Sequence, residues 1–280
     1  MKKLAKPTSN SLDVYALCIS KIRSVELKRN LENISQLIVD AAEEYDSLGR
    51  LADIYLTPQS LDINGDITKK VMENVYTQRM AKLKSPGRTI YNTLRLSAKF
   101  NQCPLCGHRQ VKTLDHYLPK SNYSKHVVIP FNLIPSCSDC NKEKLDIIPT
   151  HKENQTLHPY YDDVTEYQWL FAEVIEKNPM SVCFYTQDVA EYDDVLNRRI
   201  KLHFKTFGLN DLYISQSGVL LSNLIIRITD LHNDGGAESV AEYLSLEASS
   251  RRGNCINSWE TAIYSALAES EWFCNGGFRE

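Results

Sequence analysis

No stretch of this 280-residue chain approaches the roughly 20 consecutive apolar residues needed to cross a bilayer as a helix. The opening Met1-Lys2-Lys3-Leu4-Ala5-Lys6-Pro7 carries basic residues without the apolar core of a secretory signal. Together these predict a cytoplasmic protein that does not engage a membrane. Internal repeats and low-complexity linkers are also missing. A composition of 42% hydrophobic and 24% charged residues makes a folded chain, not a disordered one, the expectation. The length suits one large or two modest domains.

A strong overall charge is lacking too. The net value is −3, which by itself argues against a general nucleic-acid binder, but the charge is unevenly spread. Between Lys82 and Lys152 lie twelve Lys and Arg against four acids, a local balance of +8. Clustered cations bind phosphate by releasing counterions, so a basic centre between acidic flanks suits a protein that handles a polynucleotide there. A solvated basic face is the plainer alternative.

Of the eight cysteines, four form two Cys-x-x-Cys pairs, Cys103/Cys106 and Cys137/Cys140, with 30 residues between the pairs. Residues three apart on a tight turn can aim both sulfurs at one tetrahedral ion, and two such turns make a closed four-thiolate zinc site. A pair of disulfides would require secretion. Cys18, Cys183, Cys255 and Cys274 stand scattered in apolar surroundings and read as small buried hydrophobes.

The cysteine pairs bracket Leu114-Asp115-His116-Tyr117-Leu118-Pro119 and Asn132, and the second pair runs directly into Asn141. A metal-dependent nuclease needs a general base, a group that orients it, and hard ligands for a cation. His116, Asn132, and the pair Asp115 and Asn141 are the candidates for those parts. Over roughly residues 101 to 150 the pattern resembles the HNH, or ββα-metal, nucleases. That resemblance implies that His116 is the base, that Asn132 fixes the imidazole by its amide or through the loop it pins, and that Asp115 and Asn141 hold the cation. Asparagine stands at the last position, where many members have histidine, which favours oxygen ligation and hence Mg²⁺ or Mn²⁺. Zinc on Cys103, Cys106, Cys137 and Cys140 would be structural. Lys120, Lys142 and Lys144 are candidate phosphate contacts.

The longer signature, from Leu114 to Ser121, Asn132 to Cys137 and Cys140 to Lys142, is similar to HNH components of bacterial anti-phage defence systems such as Septu-type pairs. It implies DNA as substrate and a defence-system ATPase as partner. Two other readings stay open: a non-catalytic zinc-ribbon module that binds nucleic acid or protein, and metal-independent RNA cleavage.

The expected architecture is mainly α with a small α+β core. A helical region over 1–100 precedes a ββα-metal module with zinc knuckles over 101–160, and a mostly helical region follows over 161–280. One helical stripe runs from Leu31 to Leu48, with Asn30 as cap and Gly49 as stop, and another from Val71 to Leu83. Ile90, Tyr91 and Leu94 mark a short third helix. Val111 to Asp115 reads as a strand with Val127-Val128-Ile129 as its partner. Trp169–Ile175 and Ser181–Tyr185 read as strands, and Tyr192–Phe207, Leu212–Leu231, Ala237–Ala248 and Ile256–Phe273 as helices. His158, in an ordered turn, reads as a packed or capping histidine.

Overall fold

The structure, a computed structural model, describes residues 1–177 and 179–279. It is mainly helical with two small antiparallel sheets, each of two strands. The chain divides into two compact units, Met1–Asp163 and Val164–Glu280.

In the first unit α1 (Ser11–Ile19), α2 (Val25–Asn33), α3 (Ser35–Arg50), α4 (Lys69–Tyr76) and α5 (Arg88–Leu96) surround β1 (Thr113–His116), β2 (Leu133–Ser136) and α6 (Ser138–Lys144). Side chains start several of these helices: Asn10 accepts from the Leu12 and Asp13 amides, Ser24 from Leu27, and Thr68 from Val71. Each such cap satisfies a donor that the first turn leaves open, worth about 1 kcal/mol. The stripe expected from Leu31 to Leu48 is two helices, because the chain kinks at Ile34, whose backbone leaves the helical region. Gly49 does not stop α3. It lies within the last turn, where a Cβ would come within 2.5 Å of the Tyr161 ring, so its role is to admit that ring.

One apolar core joins this helical region to the module at 101–160. Tyr15, Leu31, Ile38 and Met72 from the helices pack in the same cluster as Leu114, Val127, Ile129 and Leu133. The sites below are thus built on a shared interior, and a large-to-small change such as Leu31→Ala would cost on the order of 2–5 kcal/mol. After α4 the helix widens into a π turn over Thr77–Ala81.

The partner of β1 is Leu133–Ser136, not Val127–Ile129. Thr113 pairs with Ser136 and His116 with Leu133. Val127 and Val128 instead sit between two single 3₁₀ turns, Ser124–His126 and Pro130–Asn132. Their apolar run fills the core, and periodicity alone does not tell a buried turn from a buried strand.

In the second unit β3 (Leu170–Ile175) pairs with β4 (Ser181–Thr186), followed by α7 (Asp194–Thr206), α8 (Leu209–Asn254), α9 (Trp259–Glu269) and α10 (Glu271–Cys274). α8 reverses at Gly236, which takes φ +66° and ψ −158°, a conformation open essentially to glycine. Arg227 lies 5.8 Å from the Tyr243 ring, although 16 residues of straight helix would separate them by about 24 Å. The two arms therefore run back along one another, matching the break expected between Leu231 and Ala237. Among the described residues no helix is long and apolar enough to cross a membrane.

Candidate active site and metal centre

The sulfurs of Cys103, Cys106, Cys137 and Cys140 all lie within 4.8 Å of one another, and all four residues are buried. None is in a disulfide. Tetrahedral zinc with Zn–S near 2.3 Å sets its sulfurs about 3.8 Å apart, so the donor set fits one such ion after a small contraction. Backbone amides already point at the sulfurs: Arg109 donates to Cys106 Sγ at 3.4 Å and Cys140 to Cys137 Sγ at 3.3 Å. The first knuckle closes through Gly107 at φ +67°, whose amide donates to the Cys103 carbonyl. Hydrogen bonds among the sulfurs hold the Cys137 thiol below its usual range and push Cys103 and Cys140 up. Four facing thiols cannot all ionise without a cation between them, and zinc is the cation for which such a set is suited.

The second Cys-x-x-Cys also starts α6. Cys137 is its N-cap residue, and the last helical residue is Lys144. Lys144 is 5% exposed. Its ammonium donates to the His116 carbonyl at 2.7 Å and lies 3.3 Å from Asp115 Oδ2. The lysine expected at the surface as a phosphate contact is therefore an internal tie between α6 and the end of β1. Lys142 is exposed, and Lys120 is half-buried, with its ammonium 5.7 Å from the Tyr76 ring.

His116 is held on two sides. Its Nε2 lies 2.9 Å from the Val127 carbonyl, and a carbonyl only accepts, so Nε2 carries the proton and Nδ1 keeps a lone pair. The Tyr76 ring meets the imidazole edge-on at 4.4 Å between centroids. Burial, then the nearby Lys120 and Lys144 charges, lower the ring's pKa to about 3 against the opposing Val127 bond. Among the described residues Nδ1 has no hydrogen-bond partner.

Asn132 makes no hydrogen bond to this ring. Its amide accepts from the Leu118 amide at 2.7 Å and donates to the carbonyls of Leu118 and His126, at 3.1 and 3.2 Å. It pins the loop whose next residue, Val127, supplies the carbonyl that orients His116. That makes it a positioning residue acting through backbone.

Burial raises the Asp115 carboxyl above its usual range, with Lys144 pulling the other way. Asn141 stands three residues before Lys144 on α6, hence on the same face, is partly exposed, and makes no side-chain hydrogen bond among the described residues. Apart from the four cysteines, no three His, Cys, Asp or Glu gather as a metal cluster among the described residues. A hard cation here would take Asp115 and Asn141 as its protein ligands, and Lys144 now stands on the first of them.

From the sequence Lys144 was given a different role, as a phosphate contact, and His126 was missed. The signal for Lys144 was its helical spacing from Asn141; that for His126 was its place at the head of an apolar run. His126 is 2% exposed between the Tyr45 and Tyr123 rings, at 5.7 and 6.0 Å, and neither ring nitrogen closes a hydrogen bond of ordinary geometry, although the Ala41 backbone faces it. His158, by contrast, is a packed histidine. Its Nδ1 accepts from the Tyr160 amide and its Nε2–H faces the Tyr45 hydroxyl at 3.1 Å, with Tyr117 and Tyr161 against its ring.

Burial lowers the pKa of His126 to about 4, whereas in the unfolded chain it protonates near 6.5. Between those values the unfolded state binds more protons, so stability falls as pH falls. The urea midpoint should be flat from pH 8 to 7 and drop steeply from 6 to 4. His126→Phe should remove about 2 kcal/mol of that loss at pH 5, and parallel curves for variant and wild type would contradict this.

Leu145, directly after α6, has φ +52° and ψ −151° and is 69% exposed. A side chain there costs about 1–3 kcal/mol and gains little burial. The conformation persists because Lys144 is tied to β1 while the chain must leave at once. Leu145→Gly should raise the denaturation free energy by about 1 kcal/mol once glycine's extra unfolded-state entropy is subtracted. A lower midpoint would contradict the strain.

No family model matches the chain, and no solved structure matches it. The chain is similar to protein ea31 of Escherichia phage lambda, with 27% identity over 297 residues, covering 99% of this chain and 100% of that protein.

Proposed function

We propose that the end of β1 is the centre of an HNH-type endonuclease that hydrolyses phosphodiester bonds in DNA. One observation carries the reading: His116 is fixed through Nε2–H to Val127, which leaves a neutral Nδ1 with no hydrogen-bond partner among the described residues, beside two lysines. Phosphodiester hydrolysis needs a group to deprotonate water and positive charge to receive an anionic phosphate. Nδ1 accepts the proton of the attacking water. The ring keeps its aim because Val127 and Tyr76 hold it from two directions and Asn132 holds the Val127 loop. Lys120 offers charge to the incoming phosphate, and Lys144 keeps α6 against β1. A hard divalent cation, Mg²⁺ or Mn²⁺, held by Asp115 and Asn141 in exchange for Lys144, would supply charge to the phosphate and the leaving 3′ oxygen. The zinc site takes no chemical part, since four thiolates leave no position for water.

A non-catalytic zinc-ribbon reading has one observation in its favour: Lys144 already neutralises Asp115. The two readings part in a plasmid-nicking assay. The nuclease should convert supercoiled plasmid to nicked or linear form with Mg²⁺ or Mn²⁺ and not with EDTA. DNA binding without cutting under every metal would leave the binding module. An ATPase partner and a defence role follow from the motif's resemblance to anti-phage HNH components, whereas the similar protein ea31 belongs to a phage.

A further inference from the structure

A groove in the first unit, of about 650 Å³, runs between the α1–α2 turn and the segment after the π turn. Its lining includes Lys21, Arg23, Arg79, Lys82 and Lys84, and no Asp or Glu. α2 also starts there at Ser24, where Glu26 in its first turn offsets the positive end of the helix dipole. In a chain with three more acids than bases, five cations around one groove without a carboxylate are not an average surface. Arg79 is positioned by its own contact to the Lys21 carbonyl at 3.4 Å and by the Gly87 amide on its carbonyl. Lys21, Arg23, Lys82 and Lys84 are exposed. Lys84 is held at φ +61°, a conformation that costs a lysine energy and persists only where its surroundings fix it.

The groove lies close along the chain to the site at β1. Tyr76, which packs edge-on against His116 and lies beneath Lys120, is the last residue of α4, and Arg79 follows three residues later in the π turn. One helical turn, about 5 Å of rise, thus separates the residue that braces the base from the first cation of the groove.

We propose that this groove is a phosphate-backbone track that holds the DNA duplex to one side of the scissile bond. The inference rests on the nuclease reading for the word scissile; the binding claim stands on the groove. Its cations would contact phosphates without reading bases, so affinity would be salt-dependent and indifferent to sequence.

The experiment uses the full chain, zinc-loaded, with a fluorescent 30-base-pair duplex at several salt concentrations in the presence of Mg²⁺ or with Ca²⁺ in its place. The variant Lys21→Gln/Arg23→Gln/Lys82→Gln removes three exposed charges and leaves the core alone. Three lost phosphate contacts should reduce the slope of log affinity against log salt by about 2.7 and weaken binding roughly tenfold or more near 100 mM salt. Lys201→Gln/Lys205→Gln, which removes exposed charges outside the groove and the site, should bind nearly as wild type does. Inorganic phosphate at millimolar concentration should not displace the duplex. An unchanged slope and affinity in the triple variant, absence of DNA binding by the wild type, or displacement by free phosphate would each overturn the track. A wild type that binds through these residues yet never cuts would sink the nuclease reading and leave the track standing.

Discussion

His116→Ala should lower DNA cleavage about a thousandfold, within the 10²–10⁴-fold that a positioned general base contributes, while zinc content and duplex affinity stay at wild-type values. The ring is buried and bonded to Val127, so its removal also costs stability, and a loss of rate alone would not separate chemistry from collapse. Added imidazole separates them: it should restore part of the rate in the variant, because the cavity is the size of the missing ring, and should do nothing for a misfolded site. The pH profile gives a second reading. With the free ring's pKa at about 3, the acid limb of cleavage should lie well below 6.5, the ordinary histidine value. A base so weak in the free protein gains strength when an anionic phosphate offsets the Lys120 and Lys144 charges that depress it. Undiminished cutting by His116→Ala would remove this residue from the mechanism.

Cys137→Ser should have the largest effect on folding. The wild type should carry one zinc per chain, and chelation or this substitution should abolish the cooperative melting of the first unit. Zinc binding to four thiolates is worth on the order of 10 kcal/mol or more, comparable with the whole stability of a domain. The knuckles have little apolar interior of their own to fall back on. Cys274→Ser, which removes a buried thiol outside the cluster, should keep both the zinc and the melting transition. Zinc retained at full stoichiometry in Cys137→Ser, with an unchanged transition, would mean that the four sulfurs do not share an ion.

Local spacing made the cysteine cluster legible in the sequence, since two Cys-x-x-Cys turns can do little else in a reducing compartment. The strands at 170–186 and the break in α8 were legible for a similar reason: alternation and an Asn-Asp-Gly-Gly run are local signals. The partner of β1 was not. Val127–Ile129 has strand composition, but the register is set by Tyr117 bonding to the Asn132 carbonyl and by which residues the core needs, and neither is written in a window of ten residues. Asn132 shows the same limit. Its importance could be read, but not that it acts through Leu118 and His126. Lys144 was misjudged because charge predicts exposure, and only the tertiary approach of α6 to β1 gives a buried ammonium an oxygen to bond.

The sulfur of Cys137 faces two ways, toward the other thiols and toward the Cys140 amide in the first turn of α6. Seven residues on, about 10 Å along the helix, Lys144 grips the carbonyl of His116. Oxidation of the sulfurs, or loss of an ion held among them, would therefore be felt at the end of β1 from a distance, by loosening the screw that seats this short helix.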